Sequence, residues 1–394
     1  MMRYVLVFVC ASALLFPSSV ARAALEESFE VSGWIPYWAV SKGTRSAGEN
    51  IEALSAVMPF VYAVQKDGTP KDLGGMSKAS WKRLMALAKN EGIRVTPTVM
   101  WSDTDTIHAI LSNSAKRAAH VQEIAELVKK KRYDGIDIDY EGKLAKTRPY
   151  FSKFLKELDE ALEEKFLSCT IEARTPPEDL YTTIPASLEY ANDYEAINEH
   201  CDRVNIMAYD QQRADLSLNN ARRGTPYYPN ADTDWVEKVM KLAAKTIDPD
   251  RLVIGIPTYG REIAVKVSPE WFESYDQLWS VNPSYAEETA EDEDVKPSTN
   301  KAGERSYSYL PKDASVRLSS LPKAPRGTLS GDEIALRALA YANKTGKSLT
   351  VNVVWWSDAD AVKDKIELAE ELGLRGVALF KIDGGEDEDI WDLF

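Results

Sequence analysis

The segment RYDGIDIDYEG, Arg132 to Gly142, carries four acids within eight positions: Asp134, Asp137, Asp139 and Glu141. Ile136, Ile138 and Tyr140 alternate with the last three. Successive side chains of a strand point to opposite faces, so Asp137, Asp139 and Glu141 share a face with Gly135 and the apolar residues share the other. An alternating strand in a core element that buries carboxylates is costly, by several kcal/mol for each acid that is neither paired nor protonated. The reading of this strand therefore decides both the fold and the chemistry.

Outward from it, short apolar runs alternate with helical patterns. Strands are expected at 31–38, 56–64, 93–101, 133–141, 166–174, 202–210, 251–260 and 374–383. Between them, SKASWKRLMALAKNEG sets Trp81, Leu84, Met85 and Ala88 on one helical face, with Ser77 as N-cap and Gly92 as stop. The segment RPYFSKFLKELDEALEEK does the same with Phe151, Phe154, Leu155, Leu158 and Leu162, and DTDWVEKVMKLAAKTI with Trp235, Val236, Val239, Met240 and Ala243. Eight repeated βα units predict an α/β fold, a closed (β/α)8 TIM barrel. A doubly wound open sheet is the runner-up, but no Gly-rich phosphate turn follows any strand. More than a hundred residues separate strands seven and eight, which predicts a small α+β insertion at about 261–354. That segment includes LTVNVVWW and the acidic stretch AEETAEDEDVKPSTNKAGERS, expected as a solvated surface loop. The last helix is expected to start after Asp358.

In such a barrel the outer face of each strand meets helices, so Asp137, Asp139 and Glu141 point inward and climb toward the C-terminal mouth, where barrel enzymes place their sites. Two plainer readings compete. A metal site is one, but the string lacks the D-x-[DN]-x-[DN]-G calcium pattern. A solvated acidic edge strand is the other, and it leaves Ile136 and Ile138 without a core. Crowded carboxylates raise each other's pKa, which keeps one protonated near neutrality. Glu141, nearest the mouth, is then the proton donor, with Asp139 ~6.7 Å below it by strand rise and Asp137 deeper still. That arrangement suits protonation of a leaving group, as in glycoside hydrolysis.

The N-terminus, MMRYVLVFVCASALLFPSSVARAALEE, has a basic flank at Arg3, an apolar run from Tyr4 to Phe16 and the small-x-small pattern Ala21-Arg22-Ala23. It predicts a cleavable signal peptide over residues 1–23, a domain from 24 to 394, and a secreted or periplasmic protein with no membrane attachment after cleavage. An uncleaved anchor is the alternative. Cleavage would leave Cys169 and Cys201, near the starts of neighbouring strands; a disulfide and two buried thiols both remain open. His108, His120 and His200 show no metal-ligand spacing, so no metal and no cofactor is expected. The formal net charge of −14 argues against nucleic acid and anionic membranes as partners.

These residues resemble glycoside hydrolase family 18, the chitinase-like family. Its D-G-x-D-x-D-x-E signature is matched at every fixed position by Asp134 to Glu141. GWIPYW, NIMAYD and GIPTYGR resemble its first, sixth and seventh strands, and the insertion falls where several members carry theirs. The resemblance implies a glycosidase, expected as a monomer, acting on β-1,4-linked N-acetylglucosamine in chitin, chito-oligosaccharides or peptidoglycan. It implies substrate-assisted retention, with Glu141 as acid and base, Asp139 on the acetamido N–H, Asp137 as its buried partner, Tyr209 donating to the acetamido oxygen and Asp210 binding sugar. A sugar-binding lectin on the same barrel is the alternative of another class, and an endoglycosidase acting on glycoprotein glycans shares the chemistry. Further mouth candidates are Tyr37, Trp38, Tyr62, Trp101, Arg174, Gln211, Tyr259 and Arg261. One departure stands out: Phe380 occupies the place of the Trp that usually floors the central subsite, and Trp355 or Trp356 is the candidate to compensate from the insertion.

Overall fold

The computed structural model describes residues 29–394. The expected signal peptide lies outside the described residues. Eight parallel strands run Glu30–Pro36, Ala56–Val64, Thr98–Trp101, Gly135–Tyr140, Phe166–Glu172, Arg203–Met207, Leu252–Pro257 and Gly376–Phe380. They pair in sequence order, and the first pairs with both the eighth and the second, which closes the barrel. Two short strands, Pro70–Asp72 and Arg94–Val95, extend the same sheet at its second strand. The third strand is interrupted before Thr98 because Pro97 has no N–H to donate.

Helices cover the outside. Their apolar faces follow the period seen in the sequence: Trp81, Leu84 and Ala88 are buried from Ala79–Glu91, and Phe151, Phe154, Leu155, Leu158 and Leu162 from Arg148–Leu162. The first of these starts later than Ser77 suggested. Lys78 occupies the cap position, with no side-chain capping bond, while Gly92 at φ 73° ends the helix as expected. The outward faces of the strands, including Ile136, Ile138 and Tyr140, join this outer core.

The barrel lumen is different. Its apolar part is small, with Trp34, Met58, Val253 and Ala378 packed with Phe60 and Phe380. The remainder is polar. At the bottom, Glu30 accepts from Arg203 at 2.5 Å and from Arg375 at 2.7 Å. Burial would raise the Glu30 pKa, but the charges of Arg203 and Arg375 hold it down to about 2.

After the seventh strand the chain forms a five-stranded antiparallel sheet, in the order Trp271–Val281, Gly260–Ser268, Leu349–Trp356, Arg305–Tyr309, Ser298–Thr299. Helix Glu333–Thr345 buries Ala335, Ala338 and Ala342 in the same core as Ile263, Val265, Val351 and Val353. The acidic stretch is only partly a surface loop. Pro283–Asp292 is helical, and Glu304 is fully buried, where it accepts from Trp355 Nε1 at 2.6 Å, Ser357 Oγ at 3.0 Å and the backbone N–H of Asn230 and Ala231. Glu304 thus ties the insertion to the loop after the sixth strand.

Candidate active site

The lowest acid of the ladder, Asp137, is fully buried in the lumen. Register sets it level with Thr98 on one side and Ser168 on the other. Its Oδ1 accepts from Ser168 at 2.8 Å, Thr170 at 2.9 Å and Asn205 at 3.3 Å. Its Oδ2 accepts from Thr98 at 2.8 Å, Thr170 at 3.1 Å and Trp34 Nε1 at 3.3 Å. Neutral donors from the first, third, fifth and sixth strands therefore solvate it in place of water.

Asp139 lies one inward position higher, 3% exposed, and its Oδ1 has no hydrogen-bond partner. Burial pushes its pKa well above the usual carboxylate range, and the charges of Glu141 and Asp137 add to the shift. Glu141 follows at the rim, open to solvent on one side. Its backbone N–H donates to Trp101 O at 2.8 Å, which continues the ladder to the mouth. Partial desolvation raises its pKa, with Glu172 and Asp210 reinforcing the rise and Lys143 opposing it.

Lys143 and Glu172 are the parts of this site that the sequence reading missed. The Lys143 side chain is fully buried, 4.7 Å above the Phe151 ring centroid, with Nζ on Tyr140 O and 3.6 Å from Glu172 Oε2. Glu172 accepts from Gly142 N at 2.9 Å and Asn192 Nδ2 at 2.7 Å. Burial raises the Glu172 pKa, but Lys143 and these donors outweigh it and leave it below the ordinary value. A signal was present: in FLSCTIEAR, Ser168, Thr170 and Glu172 alternate with Cys169 and Ile171, the same polar-inward pattern as the acidic strand.

Across the mouth, the Tyr209 ring stacks on Phe380 at 5.3 Å with 13° between planes. Phe380 also meets Trp34, Phe60 and Tyr259 edge-on, so it stands at the centre of an aromatic floor. Burial raises the Tyr209 pKa well above 10, followed by Tyr259 and the nearby acids, which keeps its hydroxyl a donor. Asp210 turns the chain at φ 56°, a conformation Asp tolerates better than most residues. Its Oδ1 accepts from Tyr259 OH at 2.8 Å and from Arg261, which also donates to Ser280 Oγ at 2.9 Å. Tyr37 and Trp38 are exposed at the rim, where Trp38 meets Phe60 edge-on at 6.0 Å.

Several mouth candidates sit elsewhere. Trp101 is 4% exposed and packs in the helix layer, 5.3 Å from both His120 and Tyr140. Thr98 points inward, so Trp101, three residues on, points outward and pairs with Tyr140. Tyr62 is likewise turned away, bonded to Tyr133 at 2.7 Å, because a register shift between Phe60 and Tyr62 reverses strand parity. Gln211 is buried and serves the backbone N–H of Asp232 at 2.8 Å. Arg174 lies over Tyr190 and Tyr194. Trp355 and Trp356 are both buried within the insertion and do not reach the floor at Phe380. Cys169 and Cys201 form a disulfide across adjacent strand starts, with Cα atoms 6.0 Å apart.

The arrangement offers a ladder of crowded carboxylates, a hydroxyl donor and an aromatic floor at the mouth of one lumen. A family model for Glycosyl hydrolases family 18 matches residues 35–385. An uncharacterized glycosylase, YvbX of Bacillus subtilis, is 23% identical over 291 residues, 73% of this chain and 68% of its own length. A probable chitinase 2 of Drosophila melanogaster is 23% identical over 315 residues, covering 75% of this chain but 58% of its own length. Among solved structures, a chitinase from Chromobacterium violaceum superposes with TM-score 0.68 at 19% identity, covering 93% of this chain and 98% of that one. The Bacillus cereus spore cortex-lytic enzyme SleL gives 0.66 at 18%, covering 93% and 73%. At these identities the structural likeness speaks for the barrel fold, while the family match extends over most of the chain. The chain belongs to glycosyl hydrolase family 18, a chitinase-like glycosidase family.

Proposed function

We propose that this protein hydrolyses β-1,4-linked N-acetylglucosamine polymers with retention, using the substrate's own 2-acetamido group as nucleophile. The observation that carries the reading is Asp139: a buried carboxyl with an unpartnered Oδ1, next to acids that hold its proton and within the same mouth as Tyr209. An unpaired buried acceptor is costly, and an acetamido N–H would satisfy it.

The sequence of events follows from the two pKa directions. Glu141, protonated through desolvation and its neighbours, delivers its proton to the glycosidic oxygen as the bond to the anomeric carbon breaks. The acetamido carbonyl oxygen attacks that carbon and forms a cyclic oxazolinium. Asp139 accepts the acetamido N–H at its free Oδ1, and as that hydrogen bond and the developing positive charge favour its ionised form its proton passes down the ladder to Asp137. Tyr209, keeping its proton, donates a hydrogen bond to the acetamido oxygen and fixes its line of attack. Water then opens the ring, giving its proton back to Glu141 and its oxygen to the same face of the sugar. Phe380 stacks beneath the sugar, and Asp210, held by Tyr259 and Arg261, takes a sugar hydroxyl.

Export fits this reading. The predicted signal peptide and the Cys169–Cys201 bond both suit an oxidising compartment. Relatives named as a probable chitinase and as a spore cortex-lytic enzyme accord with chitin or peptidoglycan as the polymer. The test is Glu141→Gln: turnover of acetamido oligomers falls by ~10²–10⁴, with binding of the same oligomers retained. Turnover near that of the unaltered protein would refute the assignment.

A further inference from the structure

Beyond Asp210 the chain builds a second recess of a different chemistry. Residues 213–227 and the hairpin strand Trp271–Val281 enclose a cavity of about 310 Å³. Three guanidinium groups line it, Arg213, Arg222 and Arg223, against one acid, Glu270. Arg222 is neutralised, since it bonds Asp234 at 2.6 Å and lies 3.5 Å from Asp232. Arg213 and Arg223 have no acidic partner among the described residues; Arg223 donates to Asn220 Oδ1 at 2.8 Å, and Arg213 lies 5.7 Å over the Tyr275 ring. Two unpaired cations in one recess are unexpected on a chain of net charge −14.

The recess also carries an unmet acceptor. Asn219 donates through Nδ2 to Arg213 O at 3.1 Å, but its Oδ1 is buried without a partner. One wall is aromatic and open, with Trp271 57% exposed. The recess joins the mouth through stacked rings: Tyr228 lies 5.4 Å from Tyr275 at 12°, and the charges of Arg261, Asp210 and Arg213 all bear on Tyr228. Tyr228 thus neighbours both the mouth pair Asp210 and Arg261 and Arg213 of the recess.

We infer that this recess is a distal subsite for a carboxylate-bearing substituent on an acetamido glycan. The guanidinium groups of Arg213 and Arg223 take the carboxylate, Asn219 Oδ1 accepts an amide N–H, and Trp271 covers the apolar part of the substituent. Chitin is neutral and offers nothing to the two arginines. A lactyl ether, with or without an attached peptide, or a uronate would supply the anion, and the lactyl-peptide form also carries an amide N–H within the substituent itself, besides the acetamido N–H groups that every such chain bears. The inference rests on the proposed acetamido-glycan reading, and its test is kept separate from turnover.

Binding is measured calorimetrically on Glu141→Gln protein with four soluble oligosaccharides of equal length: neutral N-acetylglucosamine chains, lactyl-substituted chains, lactyl-peptide chains and glucuronate-alternating chains. The expected result is tighter binding of the carboxylate-bearing ligands, tightest for the lactyl-peptide form, weakening as salt is added. Adding Arg213→Gln and Arg223→Gln should cut that preference by roughly tenfold for each charge-assisted hydrogen bond removed. Preference for the glucuronate chains over the lactyl forms would identify a uronate as the source and remove the amide role of Asn219. Equal binding of neutral and anionic chains, or an equal loss for both on arginine replacement, would overturn the inference. Failure of the unaltered protein to cleave any of the four, with the anion preference intact, would count against the proposed reaction and leave the subsite standing.

Discussion

Asp137 is the residue whose replacement the geometry constrains most tightly. Asp137→Asn keeps the shape but turns one oxygen into a donor. If the new NH2 group takes the Oδ1 position, Ser168 and Thr170 can rotate their hydroxyls, and Asn205 can turn its amide so that its unpartnered Oδ1 accepts. The network then survives with neutral bonds in place of charge-assisted ones. Three hydrogen bonds of 2.8–2.9 Å, from Thr98, Ser168 and Thr170, are each weakened by about 1 kcal/mol, for a total of ~3 kcal/mol. Asp137→Ala has no such escape. Thr98 and Trp34 Nε1 are left without the acceptor they share and a cavity opens, so the cost rises to ~4–6 kcal/mol. Urea denaturation of both variants reads these values, with an unchanged m-value as the check on comparable unfolding. A loss under ~1 kcal/mol for the alanine variant would mean that water, and not Asp137, satisfies these donors, and the account of a dry acid ladder would be wrong.

Other outcomes follow from the same electrostatics. Lys143→Met removes the charge that holds down the pKa values of Asp139 and Glu141, while Glu172 keeps Gly142 and Asn192 as donors; Glu141 then retains its proton to higher pH and the alkaline limb of kcat/KM moves up, whereas a downward shift would contradict the arrangement. Glu30 has a folded pKa of about 2 against an ordinary 4.5, so its contribution is complete above pH 4.5 and is lost as pH falls toward 2; at 1.36 kcal/mol per unit this is ~3 kcal/mol. Acid titration of stability in Glu30→Gln should lack that component between pH 4.5 and 2, and an unchanged acid profile would remove Glu30 as its source.

What could be read from sequence was whatever depended on local period. The acidic strand showed its own facing because Ile136, Ile138 and Tyr140 define the opposite side, and the helical stripes of Trp81 and Phe154 did the same for the outer layer. Position along a strand was harder. Trp101 ends its strand at the mouth yet faces outward, and only its pairing with Tyr140 reveals this. The parity of Tyr62 depends on a register shift that leaves no mark on composition. Glu304 sits in a stretch whose acidity reads as solvent-exposed, but four donors distant in sequence or across the insertion bury it. Lys143 escaped notice because a lysine two residues past Glu141, on the loop after the strand, looks like surface until Phe151 and Glu172 are placed around it.

Participation of the acetamido group is most directly tested by following hydrolysis of N-acetylglucosamine oligomers by time-resolved NMR, beside the same oligomers bearing hydroxyl at the 2-position. The account predicts that the first product signal is the β-anomer and that the 2-hydroxy oligomers are not cleaved. Initial release of the α-anomer, or efficient cleavage of the 2-hydroxy chains, would contradict it.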